Sequence, residues 1–390
     1  MLFNLFESLR PWLIEHGLYR WFMIFDQLGF RAFLAGMLSF AIVLAAGPRI
    51  IRWLREKKIG DKAQFDVAEL NAALASKANT PTMGGVLIAA AILAATFLLA
   101  DLTNGYIQKA IMVTIVFAGI GGADDWLKLT AASRPGASRQ GLYSKEKLVL
   151  QLGLAAVFGF FIWRDGISHS GLSLAHVLNL PFQKTYDNPS SPPSEHLIYL
   201  GVGAFTILTV LMMAGMSNAV NITDGMDGLA GGISAIVFLG LMVLCFVAGY
   251  EDGAKYLLVP YVPTSDELAI VCAAGAGGCL GFLWHNCSPA AVFMGDTGAL
   301  FLGALLGYVA VVIRQEYVLL IMSGVFLIEI GSVALQVSYF KATKGKRIFR
   351  CAPYHWHLHR GGWPETKVVA RFWIISALLV ALAIATLKLR

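Results

Sequence analysis

About ten apolar runs, each near the length a helix needs to cross about 30 Å of hydrocarbon, divide the chain. They lie near residues 30–47, 83–100, 107–123, 147–163, 196–214, 229–249, 268–284, 298–313, 317–340 and 369–387. Glycine and alanine dilute the seventh and eighth runs. There, Gly277-x-x-x-Gly281 and Gly303-x-x-x-Gly307 form small-residue faces suited to close helix contact in lipid. The pattern predicts an all-α, polytopic integral membrane bundle. Residues 1–390 are expected to form one folding unit, not the two or three domains that length alone suggests for a soluble chain.

Composition agrees with the pattern. Hydrophobic residues make up 57% of the 390, charged residues only 14%, and mean hydropathy is +0.67, against about 25% charged in a soluble domain. The five cysteines, Cys245, Cys272, Cys279, Cys287 and Cys351, show no C-x-x-C spacing, so they read as small packing residues and not as a disulfide framework or zinc site. Residues 1–30 scatter Glu7, Arg10, Glu15, Arg20 and Asp26 among aromatics. No cleaved signal peptide is expected from that pattern, and the first span acts as the insertion signal.

The net charge of +6 is small, and its placement says more. Twenty of the thirty Lys and Arg residues fall after the first span (Arg49 to Lys77), after the third (Lys128 to Lys147) and after the ninth (Lys341 to Arg371). The positive-inside rule makes those loops cytoplasmic and puts both termini outside. Nucleic acid is not implied. The opposite loops are short or, as in Asp187-Asn188-Pro189-Ser190-Ser191-Pro192-Pro193, acidic and proline-rich without evident chemistry.

On that topology the unusual polar clusters share the cytoplasmic face, within segments 48–82, 124–146, 215–228, 285–297 and 341–368. They are Ser76–Gly85, Asp124-Asp125, Asn218–Gly228, His285–Gly298 and Ala352–Glu365. The Asp124-Asp125 pair closes an apolar run. If the helix continues through it, each acid sits at the negative pole of the helix dipole at a cost of a few tenths to about 1 kcal/mol, and Lys128 is the nearest compensating cation. Plain solvation is the alternative. Adjacent helical residues point about 100° apart, so the two acids are expected to divide their work. Asp227 and Asp296 each precede a predicted helix, where either could be an ordinary N-cap.

Acids converging from separate loops repel unless a divalent cation joins them, and hard oxygen ligands favour Mg²⁺. The helix starts near Asp227 and Asp296 offer backbone N–H groups to phosphate, and Lys77 adds a cation. The chain has no G-x-x-x-x-G-K-[ST], which excludes a P-loop nucleotidase. What remains is a metal-assisted site for a phosphorylated substrate at the membrane surface. His355, His357 and His359 alternate and would share one face of a strand. A zinc site there would want a fourth ligand, and Arg360, Trp356 and Trp363 fit an anionic headgroup better. Glu329, the acid inside the ninth span, is either functional or a hydrogen-bonded structural residue.

The motifs together resemble the polyprenyl-phosphate N-acetylhexosamine-1-phosphate transferases, of the glycosyltransferase 4 type. They are Thr80-Pro81-Thr82-Met83-Gly84-Gly85, Asp124-Asp125, Asn221-x-x-Asp224-Gly-x-Asp227-Gly, Phe293-Met294-Gly295-Asp296 and the Pro353–Glu365 histidine loop. The likeness spans nearly the whole chain and is strongest to the muramoyl branch. It implies Mg²⁺-dependent transfer of phospho-MurNAc-pentapeptide from UDP-MurNAc-pentapeptide to undecaprenyl phosphate, with release of UMP, in the bacterial inner membrane. By motif, Asp296 resembles the magnesium ligand, Asp124, Asp125 and His355 the catalytic groups, and Lys77, Thr82, Asn221, Asp224, Asp227, Asn286 and His357 the substrate contacts. One departure is Trp356, which stands where the family has the middle of three consecutive histidines. The competing readings are the sister GlcNAc-1-phosphate transferase and, in another class, a secondary transporter, whose midplane charges only Glu329 would match. The sequence leaves the oligomeric state, a homodimer included, open.

Overall fold

The computed structural model describes residues 1–56, 80–130, 141–166 and 173–387. Among them the regular structure is helical, with extended chain confined to isolated bridges such as Val177 with Tyr199. The helices that position the site are α1 (Leu2–Glu15), α2 (Leu28–Glu56), α3 (Gly85–Leu99), α4 (Gly105–Thr130), α5 (Ser144–Asp165), α6 (Val202–Thr223), α7 (Leu229–Gly249), α8 (Leu268–Asn286), α9 (Gly295–Val312), α10 (Glu316–Met322), α11 (Gly324–Ala342), α12 (Tyr354–His359) and α13 (Glu365–Thr386). Among the described residues nine helices are long and apolar enough to cross a membrane, and α3, at 15 residues, is the shorter tenth. The chain is a multi-pass membrane protein.

Helix α9 is the axis of the bundle. Every residue from Thr297 to Val312 is buried, because α6, α4 and α3 all pack against it. Its glycines make the approach to α6 possible: a Cβ on Gly303 or Gly307 would run into the carbonyl oxygens of Met216 or Met212. Helix α8 packs on α2 and α7 in the same way. The outer helices α2, α5, α11 and α13 instead expose Phe33, Met37, Val149, Phe160, Ile328, Leu335, Ile374 and Leu378, an apolar surface that lipid covers. Gly277→Ala tests the close packing, since its Cβ would meet the carbonyl oxygen of Gly36. The expected result is a loss of about 1–3 kcal/mol, read as a lower thermal midpoint in detergent with the active-site residues untouched.

The elements depart from the hydropathy pattern in four places. The third apolar run ends near residue 123, but α4 continues to Thr130, so Asp124 and Asp125 are helical. The fifth run lies near 196–214, yet α6 spans Val202–Thr223 and carries Asn218 and Asn221 on the helix instead of in a loop. It continues because its polar side chains are satisfied inside the protein: Asn218 donates to Gln151 Oε1 (2.7 Å) and Thr223 Oγ1 to the carbonyl of Ala219 (2.7 Å). The ninth run is two helices, α10 and α11, broken at Ser323-Gly324, where glycine is a poor helix former. Lastly, α1 forms outside every predicted span and ties itself to the end of α3 through Asn4 and Asp101 (2.8 Å).

Candidate active site

The last two turns of α4 lie against the first turn of α9. Gly121 permits this, since a Cβ there would run into the main chain of Asp296. The consequence is a carboxylate cluster: Asp124, Asp125 and Asp296 each offer an oxygen within 4.8 Å of the others. Asp124 and Asp125 are buried and Asp296 is nearly so. Gly295, at φ +73°, joins the cluster to the glycine-rich segment. A side chain at this position would come within 2.6 Å of the Asp125 carboxylate and 2.9 Å of the Thr82 hydroxyl. The segment around Thr82 is held beside it by three backbone bonds of 2.8 Å, from Phe293 N to Pro81 O, Gly84 N to Phe293 O and Gly85 N to Met294 O.

The three acids have different partners. Asp125 accepts the backbone N–H groups of Asp296 (3.2 Å) and Thr297 (2.9 Å) and the Thr297 hydroxyl (2.6 Å). It therefore caps the N-terminus of a helix other than its own, where the dipole favours an anion. Asp124 accepts the backbone N–H of Leu142 (2.8 Å) on one oxygen and meets Lys128 (2.8 Å) and Lys147 (3.2 Å) on the other. The same two lysines reach Asp296 at 3.0 and 2.7 Å, and Asn221 donates to its second oxygen at 2.6 Å. Three carboxylates facing two ammonium groups leave a negative excess. Their hard oxygens, gathered in this small space, suit a divalent cation. Asp296 is the acid on which both lysines and Asn221 converge.

Asp224 closes the cluster from the end of α6. Burial, then the neighbouring Asp296 and Asp125, push its carboxyl up to about 7, and a bond from the Gly295 N–H only partly opposes this. A folded-state value raised above the ordinary 3.8 means that the native state binds the proton more tightly than the unfolded chain. The metal-free protein is therefore expected to lose stability as pH rises from about 4 through about 7. Thermal midpoints in a chelator across that range check this, and Asp224→Asn should flatten the slope.

The remaining sequence-predicted residues divide. Asp227 is not the N-cap residue of the helix that follows it, a place Gly228 takes; its carboxylate accepts the N–H of Ala290 (3.1 Å), and its own N–H donates to Glu365 (2.8 Å). Asp296 is likewise not an N-cap but the second residue of α9, behind Met294. The Asn286 amide bridges the N–H of Gly228 (2.9 Å) and the carbonyl of Val292 (2.8 Å), so it holds two loops together. The histidines lie on the short helix α12, not on a strand, which sends alternate rings to opposite sides. His355 turns inward to Glu329, whereas His357 accepts the N–H of Arg350 (3.1 Å) and stacks on Tyr354. Lys77 lies outside the described residues. The sequence reading missed Lys147 and Thr297 as site residues. The signal for the first was arithmetic, since Lys128 alone does not balance three gathered acids.

Two comparisons with known proteins bear on this geometry. The glycosyl transferase family 4 profile matches residues 107–314, more than half of the chain and the stretch holding Asp124, Asp125, Lys128, Lys147, Asn221, Asp224 and Asp296. Signature 1 of phospho-N-acetylmuramoyl-pentapeptide-transferase matches residues 77–88, which include Thr82 beside Gly295. The chain belongs to glycosyl transferase family 4, in its muramoyl-pentapeptide branch, and transfers phospho-N-acetylmuramoyl-pentapeptide from a nucleotide carrier to undecaprenyl phosphate.

Proposed function

We propose that the chain makes lipid I from UDP-MurNAc-pentapeptide and undecaprenyl phosphate in a Mg²⁺-dependent reaction that releases UMP, the first membrane step of peptidoglycan synthesis. The site faces the cytoplasm from the bacterial inner membrane, with both termini periplasmic, and residues 1–390 act as one transferase unit. The observation that carries the reading is the convergence of Asp124, Asp125 and Asp296 with Lys128 and Lys147 at the N-terminus of the buried helix α9.

The chemistry asks for positioning and charge neutralisation more than for covalent help. An oxygen of the lipid phosphate forms a bond to the sugar-linked phosphorus, and the bond from that phosphorus to the UMP oxygen breaks. Asp296 would hold Mg²⁺, which when bound neutralises the diphosphate. Lys128 and Lys147 are placed to offer their ammonium groups to phosphate oxygens. Asp125 is committed to the end of α9 and keeps Asp296 in place, leaving Asp124 to receive the proton of the attacking lipid phosphate or to orient it. Asn221 fixes the Asp296 carboxylate, Thr82 lines the approach at Gly295, and Asp224 stands on the nucleotide side.

Membranes containing the protein, supplied with undecaprenyl phosphate and either UDP-MurNAc-pentapeptide or UDP-GlcNAc, test the proposal. The expected outcome is UMP release with the muramoyl substrate only, abolished by chelation and restored by Mg²⁺. Turnover of UDP-GlcNAc alone would assign the chain to the sister reaction, and undiminished turnover in excess chelator would remove the metal.

A further inference from the structure

Glu329 is the acid in the interior of α11, and it is 0% exposed. It serves the histidine loop. One oxygen accepts the backbone N–H of His355 at 3.1 Å, and the other lies 2.9 Å from Nδ1 of the same ring. His355 is also fully buried, and its Nε2 has no partner among the described residues. The ring packs beneath the turn that follows α6, so closely that a Cβ on Gly225 would run into Nε2. Trp356 walls the ring at a centroid separation of 5.5 Å. On the other side of that turn, Asp224 accepts the N–H of Gly295, next to Asp296.

A carboxylate inside a membrane span must be paired, and the ring of His355 is the group placed to pair with it. A proton on Nδ1 satisfies Glu329 and leaves Nε2 directed at the Gly225 turn. The same arrangement, a buried acid on one nitrogen of an imidazole, fixes ring orientation and stabilises the imidazolium in other enzymes. Here the other nitrogen, Nε2, has no partner among the described residues, so its N–H would be an unused donor beside a turn that belongs to the transfer site. The complement of such a donor is an anionic oxygen.

We propose that Glu329 is a positioning residue for the transfer reaction: it holds His355 by Nδ1 and so presents Nε2–H, at the Asp224-Gly225 turn, to a phosphate oxygen of the nucleotide. This rests on the function proposed above. The test is the affinity of UMP, with Mg²⁺ present, for the purified full-length protein and for His355→Gln, Glu329→Gln and the double variant, alongside their thermal midpoints.

Each single variant is expected to bind UMP about tenfold more weakly, and the double variant no more weakly than His355→Gln, since the two act as one unit. A carboxamide at 329 still accepts the His355 N–H, so the fold survives. Glu329→Asp, which keeps the charge, should regain part of the affinity. Losses that multiply in the double variant, wild-type affinity in Glu329→Gln, or equal losses in the Gln and Asp variants would each overturn the assignment. Binding of UMP without turnover of the muramoyl substrate would instead fault the functional reading, and the binding cycle would still decide the role of Glu329.

Discussion

Asp296→Asn is expected to lower kcat by about a thousandfold, the scale of ~4 kcal/mol lost when a charge-stabilising group is removed from a transfer site. The residual rate should no longer rise with added Mg²⁺. The reasoning follows the contacts. Both Lys128 and Lys147 meet one oxygen of Asp296 and Asn221 donates to the other, so a carboxamide keeps an acceptor on one side only and turns N–H donors toward either the ammonium groups or the Asn221 amide. A neutral ligand binds a hard divalent cation far more weakly than a carboxylate, so both the metal and the order of the lysines are lost together. Folding should survive, because the backbone N–H of Asp296 stays capped by Asp125 and the main chain of α9 is locked by its buried face. The measurement is UMP release against Mg²⁺ concentration in protein whose thermal midpoint stays within a few degrees of wild type. A variant that keeps a wild-type Mg²⁺ response would remove Asp296 as the principal ligand.

How much of this was legible beforehand follows from which interactions are local. Hydropathy reports lipid-facing and interior apolar stretches alike, so it located the spans and put Asp124, Asp224 and Asp296 on one face. Glycines sit beside acids at Gly295-Asp296 and Asp224-Gly225, and in the structure the Asp125 carboxylate and the His355 ring come close to them. What stayed hidden was pairing across the bundle. Lys147 sits on α5 and reaches acids on α4 and α9, and nothing in its own neighbourhood distinguishes it from an ordinary basic residue near the membrane surface. Asp125 caps a helix 170 residues downstream, a contact no capping rule keyed to adjacent sequence can see. The run-on of α6 through Asn218 and Asn221 is hidden for the same reason, since the partners that make those polar residues tolerable are supplied by α5 and α9. Glu329 stood out as a lone intramembrane acid, but its partner, His355, lies beyond the end of its helix.

The adjacent acids at the end of α4 should separate experimentally into a chemical and a structural role. Asp124→Asn keeps an oxygen for the Leu142 N–H and gives up only the charge facing Lys128 and Lys147, both of which retain Asp296. It is expected to fold as wild type and to lose about a hundredfold or more in kcat. Asp125→Ala leaves the Thr297 N–H and hydroxyl, together with the Asp296 N–H, without the partner they have now. Losing a cap costs about 0.5–2 kcal/mol, and each buried donor left unmade adds about 1–3 kcal/mol. This variant should therefore show a clearly lower thermal midpoint as well as lost turnover, and excess Mg²⁺ should not rescue it, because the fault lies in where α9 begins. Asp125→Asn, with one oxygen still able to accept, should fall between the two in stability. The decisive comparison is midpoint against turnover across the three proteins. An Asp125→Ala variant that melts like wild type but is inactive would transfer the chemical role to Asp125. The burial of that side chain at a helix N-terminus would then have to be explained as preparation of a reactive carboxylate instead of as a cap.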